Sequence, residues 1–221
     1  VANSNNAKGS GQTHVVMPTN ARSLKEAFPN SYKTIESVVI QDGVTSIEDS
    51  AFSGCCGLTS VTIPDSVTHI YGSAFEGCTG LTSVVIPDSV TDFDSCAFAD
   101  CSGLTKVVIG KNVRSIGSDL FKGCSRVTSV TLPPRRQLSS IFPDAYKTIQ
   151  SVVIQDGVTS IEDRAFRGCS GLTSVTIPNG VTSIGSAAFY GCTGLTSVVL
   201  PDSLTRIDNS AFEGCTGLTS V

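Results

Sequence analysis

Nine cysteines and two histidines are the side chains in this 221-residue chain best suited to bind a soft metal, form a crosslink or act as a nucleophile. Seven of the cysteines keep a fixed interval. Cys55, Cys78, Cys101 and Cys124 stand 23 apart, and Cys169, Cys192 and Cys215 resume the same spacing. Residues at one phase of a fixed period form a column in a stack, about 5 Å apart where strands set the spacing. Their Cβ vectors run parallel instead of facing one another, which is the wrong geometry for a disulfide. The spacing predicts reduced, buried thiols that act as small hydrophobes. Cys56 and Cys96 lie off the column and are expected to be the more exposed thiols. No CxxC pair or Cys/His cluster offers a zinc site.

The remaining candidates for chemistry are sparse. His14 and His69 are the only imidazoles, and spacing places no base-orienting group beside His69. The sequence contains no GxSxG, HExxH or phosphate-cradling glycine loop. Asp42, Asp65 and Asp88 share one phase with Lys111, and Asp156 and Asp202 follow further on. Three carboxylates at the strand spacing could share a calcium ion. The turn-forming role of Asp explains them without one. The expectation is a non-enzyme with no cofactor and no metal site.

The elements that carry these columns follow from the same beat. Gly-Leu-Thr-Ser-Val begins at Gly57, Gly80, Gly171, Gly194 and Gly217, and Ala-Phe pairs recur at Ala51, Ala74, Ala97, Ala165, Ala188 and Ala211. A fixed period of this size marks stacked repeats. Within one unit, Val61 and Ile63 alternate as the inward face of a short strand. Pro64 ends that strand and Asp65-Ser66 turns the chain. Val67 and Ile70 point inward on the return path, and Ala74-Phe75 and Cys78 close the coil. Gly77 and Gly80 are read as permitting tight turns. A lone coil cannot offset its ordering entropy, so neighbouring coils must bury its ends.

The LxxLxL strand, the proline after it and the closing AFxxC resemble the bacterial BspA-like (Treponema pallidum-type) leucine-rich repeat family over roughly residues 14–221. The expected fold is mainly β: a leucine-rich repeat solenoid of about eight coils of 22–23 residues, with short parallel strands on the concave face and little helix. Residues 1–13 are small and polar and are expected to form a disordered lead-in. Residues 14–36 read as a cap-like variant repeat, and 37–221 as the array, with a second variant repeat at 129–150. The variants share Leu-x-x-x-Phe-Pro-x-x-Tyr-Lys-Thr-Ile, at Leu24 to Ile35 and Leu138 to Ile149. They put Tyr32 and Tyr146 in the cysteine column and define a module of about 114 residues, begun twice. A bulky Tyr146 in mid-array is expected to change local curvature. The last strand is cut short at Ser220-Val221 without a polar cap, which predicts end-to-end self-association.

Function must then be sought on surface columns. One outward column of the strands runs through Val85, Val108 and Thr131, and its partner through Ser83, Lys106 and Ser129. The face is small and nearly uncharged, with no aromatic platform for bases or sugars. Residues 37–105 carry nine acids and no base, a balance of −9, while 106–136 carry seven bases and one acid, a balance of +6. Such a field steers a charged partner. The candidate binding residues are Lys106, Lys111, Arg114, Arg135 and Arg136 with Val85, Val108 and Thr131. An isoelectric point near 5.1 argues against nucleic acid. No apolar stretch reaches the roughly 18 residues that cross a bilayer, so no membrane insertion is expected here.

The resemblance implies a secreted or cell-surface interaction module that adheres to a protein ligand, either a host matrix protein or a bacterial surface protein. The lack of an N-x-[ST] sequon is in keeping with a bacterial source. The alternative is a structural spacer that displays another domain and binds nothing itself. Reversing the basic band separates the two.

Overall fold

The computed structural model describes residues 13–133 and 137–220. The expected lead-in, apart from its last residue, lies outside them, as do Arg135, Arg136 and Val221. In chain order the first elements are β1 (His14–Met17), α1 (Leu24–Ala27), β2 (Ser37–Ile40), β3 (Ser46–Ile47), β4 (Ser60–Thr62) and β5 (His69–Ile70). Next come β6 (Ser83–Val85), β7 (Asp92–Phe93), β8 (Lys106–Val108), β9 (Ser115–Ile116), β10 (Ser129–Leu132) and α2 (Leu138–Ile141). Beyond them lie β11 (Ser151–Ile154), β12 (Ser160–Ile161), β13 (Ser174–Thr176), β14 (Ser183–Ile184) and β15 (Arg206–Ile207). The chain is a parallel β-solenoid of about eight turns with little helix.

The LxxLxL segments build the first sheet, in runs β1-β2-β4 and β6-β8-β10-β11-β13. Every pair is parallel and advances by one coil, so that Ser37 faces Ser60 and Ser83 faces Lys106. Val84 and Ile86 point inward and are buried, while Val85 between them is exposed. The period-2 alternation is thus realised as read.

The return path adds strands to those expected on the concave face. Residues such as Ser46-Ile47, His69-Ile70 and Asp92-Phe93 pair in a second parallel sheet, β3-β5-β7-β9, which resumes as β12-β14-β15. Threonines at the entry to both sheets tie neighbouring coils together. The Thr105 hydroxyl donates to the Thr82 carbonyl at 3.1 Å, and the Thr182 hydroxyl to the Thr159 carbonyl at 3.1 Å.

A third set of bonds runs through the Ala-Phe corner. The N–H groups of Ser73, Phe75 and Gly77 donate to the carbonyls of Ser95, Ala97 and Ala99 in the next coil. Inside that corner the phenylalanines stack. Phe52–Phe75 and Phe75–Phe98 centroids are 4.8 Å apart, and the column continues to Phe121 and Phe142. A second column joins Phe166, Phe189 and Phe212. The seven in-phase cysteines are all buried, whereas Cys56 is exposed and Cys96 half-buried.

Two glycines divide the turn-forming role assigned to them. Gly77 has φ +71° and supplies the left-handed turn. Gly80 does not. A Cβ there would sit 2.5 Å from the Cys56 carbonyl oxygen, so Gly80 is required by the approach of two coils.

In the variant coils, the path that elsewhere forms a second-sheet strand runs into a short helix. Ser23 caps α1 by accepting from the Glu26 N–H, and the Glu26 carboxylate accepts from the Arg22 N–H at 2.9 Å. Leu24 and Leu138 then donate to Ala51 and Ala165 at 2.8 and 2.7 Å, keeping each helix docked on the next corner. Among the described residues no strand links β9 to β12, so the second sheet is interrupted at α2.

Candidate functional site

The outward positions of β6, β8 and β10 align in register, placing Val85, Val108 and Thr131 in one row. The row continues through Val153 and Thr176 on β11 and β13. Val85 is 60% exposed, the largest apolar step on this strip. The parallel row runs Ser83, Lys106, Ser129, Ser151 and Ser174, with Lys106 its only charge. Five hydrogen-bonded strands therefore present a strip of methyl and hydroxyl groups marked by a single amine. Such a surface offers shape and apolar contact.

Lys111 and Arg114 sit apart from that strip, on the path from β8 to β9. The Lys111 backbone N–H donates to Asp88 Oδ1 at 2.9 Å, and its Nζ lies 3.3 Å from Oδ2. Asn112 Nδ2 donates to the Asp88 carbonyl at 2.9 Å. The backbone hydrogen bond from Lys111, more than its charge, holds the Asp88 carboxyl below its usual range. Asp88 thus fastens one turn to the next. Arg114 is exposed and borders a recess lined by Ile109, Val113, Ile116, Leu132 and Ile141. Of the eight residues singled out, Lys106, Val85, Val108 and Thr131 share one surface, and Lys111 and Arg114 lie beyond it on the path to the second sheet. Arg135 and Arg136 lie outside the described residues.

His69 does have a partner that spacing failed to suggest. Its Nε2 lies 3.2 Å from Asp94 Oδ1, and its ring lies 4.1 Å from that of Tyr71. Asp94 is one coil plus two residues onward, on the same outward face of the second sheet, where His69 faces Asp92 in register. Finding the pair needed the second sheet, which the sequence reading lacked. Among the described residues no group of three or more His, Cys, Asp and Glu side chains is placed to hold a metal ion.

The column thiols are held as donors inside the stack. Cys78, Cys101 and Cys124 each donate to the phenylalanine carbonyl of the coil before, at 3.1–3.2 Å. Burial pushes the Cys55 and Cys169 thiols up to about 12, so they carry no thiolate at neutral pH.

Residues 24–147 and 139–221 match the family model described as the BspA type leucine rich repeat region, in six copies. Among solved structures, a leucine rich repeat protein of T. pallidum is 26% identical, with a TM-score of 0.52, covering 87% of this chain and 80% of its own. A leucine-rich repeat protein from Eubacterium ventriosum is 19% identical with a TM-score of 0.44, covering 91% of this chain and 88% of its own. No curated protein matches the chain. Among the described residues no helix is long and apolar enough to cross a membrane.

Proposed function

This chain belongs to the BspA-type leucine-rich repeat family, and from that membership we propose that it is a secreted or cell-surface interaction module that adheres to a protein of the host matrix or of another bacterial surface. The observation that carries the reading is the outward row Val85–Val108–Thr131 beside Lys106, exposed at Val85 and half-buried at Val108 and Thr131, on five hydrogen-bonded strands. A ligand laid across it meets rigid backbone, which keeps the ordering cost of binding low. Lys111 and Arg114, on the path from β8 to β9, and Arg135 and Arg136, close by in sequence, belong to a basic stretch that speeds encounter with an acidic partner.

The test is solid-phase binding to immobilised basement-membrane extract and to whole bacterial cells. The quadruple variant Lys111→Glu, Arg114→Glu, Arg135→Glu and Arg136→Glu should bind at least about tenfold less, with the loss concentrated in the association rate. The Lys111–Asp88 pair is half-exposed, so losing it leaves the fold intact. A spacer without a ligand would show no saturable binding in the parent protein and no difference in the variant.

A further inference from the structure

The two copies of the module run in register from Ser37 and Ser151 onward, and their differences show where the repeat accepts another side chain. Among the changes on the Ala-Phe corner, where Ala99 also becomes Glu213, three lie side by side. Ser50, Ser53 and Glu76 of the first copy become Arg164, Arg167 and Tyr190 in the second. The variant coil before each copy contributes a Tyr-Lys pair, Tyr32-Lys33 and Tyr146-Lys147.

In the second copy these residues meet on one surface, away from the strip on the first sheet. Arg164 and Arg167 leave a single turn, closed by the Arg167 N–H donating to the Arg164 carbonyl at 3.1 Å. Both are exposed, as are Lys147 and Tyr190. Arg167 Cζ lies 5.1 Å from the Tyr190 ring centroid, and Lys147 Nζ 5.6 Å from that of Tyr146. The Tyr146 ring abuts Gly168, whose added Cβ would sit 3.7 Å from Cε2. Neighbouring carboxylates are partly engaged elsewhere. An oxygen of Asp144 accepts from the Gly123 N–H at 2.8 Å, and Asp163 Oδ1 from the Ser186 N–H at 2.7 Å. Glu213 bounds the patch one coil beyond Tyr190.

We propose that Tyr146, Lys147, Arg164, Arg167 and Tyr190 form a second docking surface, whose occupant is an extended acidic segment of another protein. These five carry three cations and no carboxylate, whereas the first copy has Lys33 and Glu76, one of each sign. Ring stacking holds the Arg167 guanidinium with its donor edge free for a carboxylate. The rings lie under the protein's own cations, so they offer no open platform to a sugar. A charged peptide needs no such platform.

The experiment uses the protein that already carries the Glu substitutions at Lys111, Arg114, Arg135 and Arg136, so that failure here is separate from failure on the first sheet. The probe is a fluorescein-labelled peptide of alternating Glu and Ser, followed by anisotropy at low salt. Arg164→Ser, Arg167→Ser and Tyr190→Glu each install the residue the first copy already holds. Ser50 and Arg164 have φ of 56° and 59°, so these changes leave the fold alone. Each arginine change should weaken binding about two- to fivefold, and the triple variant should abolish it. Conversely, Ser50→Arg, Ser53→Arg and Glu76→Tyr beside Tyr32 and Lys33 should raise the stoichiometry from one peptide per chain to two. Four outcomes overturn the proposal. The peptide fails to bind, or binds the triple variant equally; heparin binds in its place; or the protein self-associates through Arg167, making a second copy the occupant.

Discussion

The Cys78 thiol donates to the Phe52 carbonyl across 3.1 Å, joining the cysteine of one coil to the phenylalanine of the coil before. The bond repeats at Cys101, Cys124, Cys192 and Cys215. It is missing at Cys55 and Cys169, which follow the variant coils. There the 26-residue step falls on Pro29 and Pro143, just after the short helices, and no bond from either thiol forms.

Truncating these thiols should therefore cost unequally. Cys101→Ala removes packing and a hydrogen bond, while Cys169→Ala removes packing alone. Denaturant titration should find Cys101→Ala less stable than Cys169→Ala by about 1 kcal/mol. Equal losses would show that the thiol bonds contribute nothing.

Buried thiols also make the protein sensitive to base. Burial raises the Cys55 and Cys169 thiols from 9.0 to about 12, and Cys101, Cys124 and Cys192 also shift upward. Above the unfolded value the unfolded chain has lost protons that the folded chain retains, so stability falls as pH rises. Stability from this source should be fully present at neutral pH, begin to fall near pH 9 and keep falling to about pH 12. Chemical denaturation at stepped pH checks it, and a flat profile up to pH 11 contradicts it. Alkylation under native conditions should label Cys56 first.

Much of this architecture could be read directly. Val84 and Ile86, the Phe52–Phe75–Phe98 corner and the cysteine column all follow from one period, because a stack repeats contacts as it repeats residues. The second sheet was hidden because its strands are two residues long, as at Ser115–Ile116. One inward residue cannot display an alternation. The same short strands concealed His69 and Asp94, whose proximity needs the register of β5 on β7. Arg164, Arg167 and Tyr190 were legible only as differences between the two copies once the corner that gathers them was known.

Gly80 tests close approach apart from backbone conformation. Gly80→Ala drives a Cβ to 2.5 Å from the Cys56 carbonyl oxygen, which is fixed by the backbone of the neighbouring coil. The cost should be about 1–3 kcal/mol by thermal or urea unfolding. Gly72→Ala meets the flexible Asp49 side chain at 3.1 Å and should cost clearly less. If the two behave alike, the close approach is not what demands glycine at residue 80.

Asp100 is the converse case. It has φ +56° at the position where Gly77 and Gly123 have φ +71° and +78°. A non-glycine residue strains this region, and Asp tolerates it better than most. Asp100→Gly should stabilise the protein by about 0.5–1 kcal/mol, less the added freedom of the unfolded chain. A calorimetric melting temperature below that of the parent would contradict the expectation.

The reading of the first sheet as an adhesive surface is tested most directly on its outward row. Val85→Glu, Val108→Glu and Thr131→Glu place carboxylates on three adjacent strands without touching the inward residues Val84, Val107 and Val130. Binding of this triple variant to basement-membrane extract and to bacterial cells should be measured beside its melting temperature. Saturable binding by the parent that falls at least about tenfold in the variant, which still melts cooperatively though at a lower temperature because the in-register carboxylates repel, is the expected result. Parental binding retained in full by the variant would contradict it.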